Sequence, residues 1–268
     1  MKIHSPYQVK PHRKVRLSAL PTAPPTGFDA KAKLDALLAK QREQLAALQE
    51  VLYASQQKAL LIVLQGMDTA GKDGTIRHIF TGVNPQGCDI AAFKVPTPLE
   101  AAHDFLWRVH EKVPPRGMIG IFNRSHYEDV LSPRVHKLIS EKTTEQRLDD
   151  INEFESTLAD NGVVILKFFL HITHAEQTRR LKARLDNKDK HWKISDADFR
   201  ERKFWKDYQK AYEEILSTTS RKHAPWFVIP ADDKNYRNVA ISEILVGVMQ
   251  GLKLTYPKPH FDPKLVKL

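Results

Sequence analysis

From Ala59 to Leu64 the chain is apolar without interruption, and Gln65 closes the run. A stretch this short, with no alternation, predicts a central parallel strand covered on both faces. Comparable runs recur at Cys88 to Phe93, Met118 to Asn123, Val163 to Ile172 and Trp226 to Pro230. Between them, segments of helical period predict helices over Leu99 to Lys112, Tyr127 to Ile139, Thr144 to Ala159, Ala175 to Leu185, Asp198 to Leu216 and Tyr236 to Gly251. Upstream, Leu34, Leu37, Leu38, Leu45, Leu48 and Leu52 line one side of an amphipathic helix with Asp29 as its N-cap, packed on the sheet or on a second subunit. Strands alternating with helices predict an α/β fold with a parallel sheet, and place ligands at the carboxyl ends of the strands. Trp205, Tyr208 and Tyr212 fall at helical spacing and read as core rather than as a base-stacking platform.

The pattern also divides the chain. Residues 1–28 hold Lys2, Lys10, Arg13, Lys14 and Arg16 without an acid, then a Pro-rich segment from Leu20 to Pro25. They read as an extended arm, draped over the body or disordered, with an organelle transit peptide as the alternative. Residues 29–256 form a single domain with a lid at about 175–198, and 257–268 a C-terminal tail. With 268 residues and 41% hydrophobic content the chain can bury a full core, and no internal duplication is visible. Cys88 is the one cysteine, which excludes an intramolecular disulfide framework and suits a reducing cytoplasm. No apolar stretch reaches the ~18 residues of a membrane helix, and the N-terminus has no hydrophobic signal core. No membrane is therefore expected. Lys and Arg total 42 against 32 Asp and Glu, a net charge of +10. An excess of that size points to a polyanionic partner, yet no nucleic-acid module is present, so nucleic acid is not the expected one.

The chemistry starts at Gly66-Met67-Asp68-Thr69-Ala70-Gly71-Lys72-Asp73-Gly74-Thr75, where the buried strand turns into a helix. Such a loop converges backbone N–H groups on phosphate oxygens, and Lys72 adds a full positive charge. The residue after the lysine, a hydroxyl in the usual phosphate loop, is Asp73, and the nearest hydroxyl is on Thr75. At ~4 Å and an effective dielectric of ~20, a carboxylate beside a phosphate costs roughly 4 kcal/mol. Asp68 and Asp73 in an anion site therefore imply a bridging cation. Asp68 reads as a magnesium ligand, and also as a group able to orient the attacking phosphate oxygen.

Asn123-Arg124-Ser125-His126-Tyr127-Glu128-Asp129 follows a second apolar strand and so reaches the same sheet edge. Arg124 can neutralise charge on a transferring phosphoryl group. Asp129 can supply the second metal carboxylate, with Glu128 as the alternative. Arg134 extends the phosphate track. His126 has no partner acid in a recognisable pattern, so a structural or substrate-contacting role is expected instead of a covalent phosphohistidine. Further on, Arg180 and Arg184 share one helical face in a basic segment that runs to Trp192 and Lys193, fit to close as a lid and exclude water.

Together these three motifs resemble those of the polyphosphate kinase 2 family. Phe122 to Leu131 is very specific to that family, and Val95-Pro96-Thr97, Trp107-Arg108-Val109-His110 and Trp226 to Pro230 also match it. The resemblance implies a P-loop kinase-like three-layer α/β/α fold, similar to thymidylate kinases, with a small helical lid. It implies direct in-line transfer of a terminal phosphoryl group between inorganic polyphosphate and adenine or guanine nucleotides, converting AMP and ADP to ADP and ATP. Magnesium is required, with manganese a possible substitute. By matching positions, Asp68, Lys72, Arg124 and Asp129 are the catalytic residues, and Asp68 and Asp129 the metal ligands. Thr69, Ala70, Gly71, Lys72, Asp73, Gly74, Thr75, Arg124 and Arg134 contact polyphosphate; Asn123, Glu128, Arg180, Arg184, Trp192 and Lys193 contact the nucleotide. Assembly is expected as a homodimer or homotetramer. His191 stands where close relatives carry arginine before the Trp-Lys pair. The rival readings are an ATP-dependent nucleoside monophosphate kinase and a non-catalytic polyanion-binding protein.

Overall fold

The computed structural model describes residues 5–28 and 30–259. In chain order the elements are α1 (Lys31–Ser55), β1 (Ala59–Gln65), α2 (Lys72–Ile79), β2 (Cys88–Ala92), α3 (Pro98–Ala101), α4 (Trp107–His110), β3 (Ile119–Asn123), α5 (Glu128–Val135), α6 (Glu141–Asp160), β4 (Val163–His171), α7 (His174–Leu185), α8 (Asp196–Glu201), α9 (Trp205–Thr219), β5 (Trp226–Pro230) and α10 (Lys234–Gly251). The strands form one sheet in the order β2-β3-β1-β4-β5, and every pairing is parallel.

The continuous apolar run of β1 follows from its place at the middle of this sheet. Leu60, Ile62 and Leu64 pack into the cluster under α1, α2 and α10, while Ala59, Leu61 and Val63 pack into the one under α5, α6 and α9. Both faces are covered, so period-two alternation of polarity disappears and three layers result. The strand order puts the carboxyl ends of β1 and β3 side by side, with Leu64 opposite Asn123. That juxtaposition builds the site.

The helix expected over Leu99 to Lys112 is two short ones, because the Asp104 side chain accepts the Leu106 N–H at 3.0 Å and turns the chain between them. The long helix expected from Asp198 is likewise broken at Arg202–Phe204. There Glu201 is held by the Tyr208 hydroxyl at 2.7 Å and by His136 at 2.9 Å. Tyr212 is buried, and Trp205 and Tyr208 pack partly buried against the core. Helix α1 begins after Ala30; the proposed cap Asp29 lies outside the described residues. Residues 5–28 drape over the body: Val9 donates to the Trp226 carbonyl at 2.9 Å, Val228 donates back to Tyr7 at 2.9 Å, and Leu17 is buried. No helix among the described residues is long and apolar enough to cross a membrane.

Candidate active site

The loop from Gly66 to Gly71 turns β1 into α2. Gly66 (φ 153°) and Gly71 (φ 108°) hold backbone conformations that a side chain would strain. The first bond of α2 runs from the Thr75 N–H to the Gly71 carbonyl at 2.9 Å. The amides of Lys72, Asp73 and Gly74 therefore have no intrahelical acceptor and face outward with the positive end of the helix dipole. Ala70 and Thr75 play a different part from the phosphate contacts expected of them. The Ala70 N–H donates to Met67 at 3.0 Å, and the Thr75 hydroxyl donates to the Gly71 carbonyl at 3.1 Å, so both are spent shaping the loop.

Lys72 is buried, and its ammonium donates to the Gly66 carbonyl at 2.8 Å. Burial and Arg124 lower its pKa, opposed by Asp68, Glu128 and Asp73. At the end of β3, Arg124 adopts a left-handed backbone (φ 63°), and its N–H donates to the Leu64 carbonyl at 3.1 Å. Its guanidinium donates to Asp68 at 2.8 Å and lies 3.8 Å from Glu128. Burial works against its charge, but the Glu128 and Asp68 carboxylates outweigh this and hold its pKa above the usual value. Asn123 spans the two motifs by donating to Asp73 at 2.7 Å.

The structure corrects the expectation for the second acid. Asp129 does not join Asp68: its carboxylate accepts from Arg108 at 2.8 Å and lines a neighbouring cavity of about 730 Å³. One residue earlier, Glu128 stands behind Arg124 and accepts from the Gln65 amide at 3.0 Å when that amide is oriented by its neighbours. Burial raises the Glu128 pKa, against the pull of Arg124 and Lys72. Glu128 supports Arg124 and does not line the cavity at the loop, so the expected nucleotide contact is replaced by a supporting one. Arg134 is also elsewhere, paired with Glu141 at 3.0 Å and with Glu214, away from the phosphate loop. Its helix turns it toward α6 and α9, and the phosphate track does not include it.

His126 is fully buried, with Nε2 3.2 Å from Glu155. The Tyr127 hydroxyl donates to the same Glu155 oxygen at 2.8 Å, and Lys167 donates to Glu155, to Tyr127 and to the Thr219 carbonyl at 2.5, 2.9 and 2.8 Å. Burial lowers the Lys167 pKa to about 8, against the Glu155 carboxylate. The histidine thus anchors the motif from behind and has no surface at which to meet a phosphate. Glu155→Gln leaves a buried ammonium without its counter-charge, and is expected to cost about 3–5 kcal/mol. Thermal denaturation checks this, with Glu155→Gln combined with Lys167→Met recovering part of the loss.

Facing the loop across a cavity of about 990 Å³ is the basic segment, and Arg184, Lys190, Trp192 and Lys193 line it together with Asp68, Thr69, Lys72 and Arg124. Trp192 is exposed, the Lys193 ammonium lies 4.8 Å from its ring centre, and Arg184 donates to the Lys193 carbonyl at 3.3 Å. Arg180 departs from the expectation. Its guanidinium is buried and donates to Glu176 (2.6 Å) and to the carbonyls of Thr69 (3.0 Å), Ala70 (2.8 Å), Ala231 (2.5 Å) and Asp232 (3.1 Å). All its N–H groups are committed to the frame of the phosphate loop, leaving none for a nucleotide. Gln177 ties α7 to the same loop by donating to the Asp68 carbonyl at 3.1 Å. Gln177 and Arg237, which also touches the loop, are not legible as site residues, because each sits singly in a helix with no motif around it; Arg108 lies in a stretch that matches the family, but nothing in its spacing points to Asp129.

A glycine-rich turn bearing Lys72, an arginine on the adjacent strand end and a basic helical segment opposite define a phosphotransferase of the P-loop kinase type. The chain belongs to the polyphosphate kinase 2 family, whose model, "Polyphosphate kinase 2 (PPK2)", matches residues 29–256. It is 49% identical over 256 residues to the AMP/ADP-polyphosphate phosphotransferase of Meiothermus ruber, covering 95% of this chain and 96% of the relative. It is 43% identical over 264 residues to the ADP-polyphosphate phosphotransferase of Rhodopseudomonas palustris, with 94% and 91% covered. The crystal structure of polyphosphate kinase 2 from Arthrobacter aurescens TC1 is 42% identical and superposes with a TM-score of 0.91 over 96% of this chain and 95% of that one.

Proposed function

We infer that this chain moves the terminal phosphoryl group between inorganic polyphosphate and adenine nucleotides, carrying AMP to ADP and ADP to ATP. The observation that carries the reading is 49% identity over nearly the whole chain to a relative named for both acceptors, in a chain whose Lys72 and Arg124 line one cavity beyond the adjacent ends of β1 and β3. A terminal phosphate oxygen of the nucleotide attacks the terminal phosphorus of the polymer. The bond from that phosphorus to its bridging oxygen breaks, and the shortened polymer leaves with the electron pair. The Lys72, Asp73 and Gly74 amides hold phosphate oxygens, and Lys72 and Arg124 balance the charge spread over the transferring group. The basic segment from Arg184 to Lys193 covers the cavity and keeps water from the phosphoryl group.

For magnesium, the described residues contain no cluster of three side chains able to hold a metal by themselves. Asp68 and Asp73 both line the cavity, and one or two carboxylates suit an ion that completes its shell with substrate phosphates and water. Asp68 is the residue that would hold it, with Asp73 beside it, and manganese would substitute. When bound, such an ion would supply positive charge to offset that of these carboxylates and of the transferring phosphoryl group. Guanine nucleotides as further acceptors, and a homodimeric or homotetrameric assembly, belong to the same proposal on the strength of the family resemblance.

Supplied with magnesium, polyphosphate and either AMP or ADP, but no nucleoside triphosphate, the protein is expected to form ADP and ATP. If phosphorylation of AMP required added ATP, the chain would be an ordinary monophosphate kinase. If neither mixture gave turnover while polyphosphate still bound, the non-catalytic reading would hold. GMP and GDP in the same panel define the base preference.

A further inference from the structure

Arg237 lies on α10 and is 2% exposed. It sits directly against the phosphate loop: Nη1 donates to the Ala70 carbonyl at 3.1 Å, while Nε and Nη2 donate to the Asn238 side-chain oxygen at 3.2 and 2.8 Å. A Cβ added to Gly71 would lie 2.0 Å from Nη1, and one added to Gly74 3.6 Å from Nη2. The loop backbone is therefore laid onto the guanidinium, and the absence of a side chain at Gly71 is what permits it, while a Cβ at Gly74 would meet the guanidinium only in ordinary contact. Three of the five N–H donors are used in these bonds.

Among the described residues its charge has no close counterpart. Arg237 takes part in none of the ion pairs among the described residues. Burial, and then the like charge of Arg180, push its pKa down to about 9, with Asp233 pulling the other way. A buried cation in that state is destabilising, and an apolar side chain of similar volume removes that cost, which offsets the loss of its hydrogen bonds to Ala70 and Asn238. Yet Arg237 lines the same cavity as Lys72, Arg124 and Lys234. Lys234 is likewise lowered by burial and by Arg180, Arg179 and Arg237, so positive charge is crowded on this wall.

We propose that Arg237 is a phosphate-positioning residue whose buried charge is balanced by the bound phosphate chain and not by the protein. It supports the loop backbone through Ala70 and directs a fixed positive potential at the anion from behind Gly71 and Gly74. Free enzyme carries the cost, and ligand binding recovers it. The inference rests on the preceding reading only in taking polyphosphate as the phosphate chain.

The test compares wild type, Arg237→Met and Arg237→Lys for melting temperature without ligand and for polyphosphate Kd across a salt series. Arg237→Met is expected to melt at or above the wild-type temperature while polyphosphate Kd rises at least ~10-fold, and the slope of log Kd against log salt falls by about one. Arg237→Lys is expected to recover part of the affinity. A lower melting temperature for Arg237→Met with unchanged Kd and salt slope would overturn the proposal and make Arg237 a prop of the fold. Should Arg237→Met fail to fold, Arg237→Lys decides: a raised Kd at near wild-type melting temperature supports the proposal, and an unchanged Kd overturns it. A polymer that binds in this Arg237-dependent way but donates no phosphate would refute the transferase reading and leave this inference standing.

Discussion

Arg124→Ala is expected to lower kcat for phosphoryl transfer from polyphosphate to ADP by on the order of 10³-fold or more, the range of an arginine that stabilises phosphoryl-transfer charge. Its side chain is 43% exposed, and its partners are Asp68 and Glu128 at the cavity, so little core packing is lost. The left-handed backbone at this position adds a strain of about 1 kcal/mol for any residue with a Cβ, in wild type and variant alike. Stability should therefore change much less than rate. Arg124→Lys keeps the charge but loses the planar fork, and should fall between the two. ATP formation at saturating polyphosphate and ADP, with a melting curve for each variant, checks this. A kcat within tenfold of wild type would remove Arg124 from the chemistry.

Asp68→Asn is expected to lower kcat by on the order of 10³-fold and to raise the magnesium concentration needed for half-maximal rate. The change is isosteric, so the loop keeps its shape through the Asp68 carbonyl, which Gln177 holds at 3.1 Å. What disappears is the negative charge. On the proposed reading a magnesium ion would lose a carboxylate ligand and be held less firmly where it offsets phosphoryl charge, and Arg124 loses the partner that orients it at 2.8 Å. A rate titration against magnesium separates the two outcomes: a raised requirement marks loss of a ligand, whereas an unchanged requirement with lowered kcat marks Asp68 as a partner of Arg124 alone.

The sheet was legible in the sequence because its central strands are covered on both faces, and continuous apolar runs such as Ala59 to Leu64 have no other economical explanation. The phosphate loop was legible because glycine, lysine and carboxylate fall within a few residues of each other. Interruptions of helices were not, since they depend on side chains such as Asp104 and Glu201 finding partners that periodicity does not register. Within the second motif, Glu128 and Asp129 are adjacent letters, but one helical step sends one toward Arg124 and the other toward Arg108. That difference is set by the start of α5. Arg180 reads as a lid residue by its face, yet the depth at which α7 packs against the loop turns it into a clamp on backbone carbonyls. Arg134 reads as part of the phosphate track for a related reason, since its pairing with Glu214 depends on how α5 meets α9.

In the proposed mechanism a divalent ion on the Asp68 carboxylate would complete the site that Lys72 and Arg124 form around the transferring phosphoryl group. Crystals grown with Mn²⁺, ADP and a short polyphosphate, measured at the manganese absorption edge, test it most directly. An anomalous peak is expected within coordination distance of Asp68 and of phosphate oxygens held at the Lys72 amide. A peak confined to the cavity beside Asp129 and Arg108, with Asp68 still paired to Arg124, would contradict it.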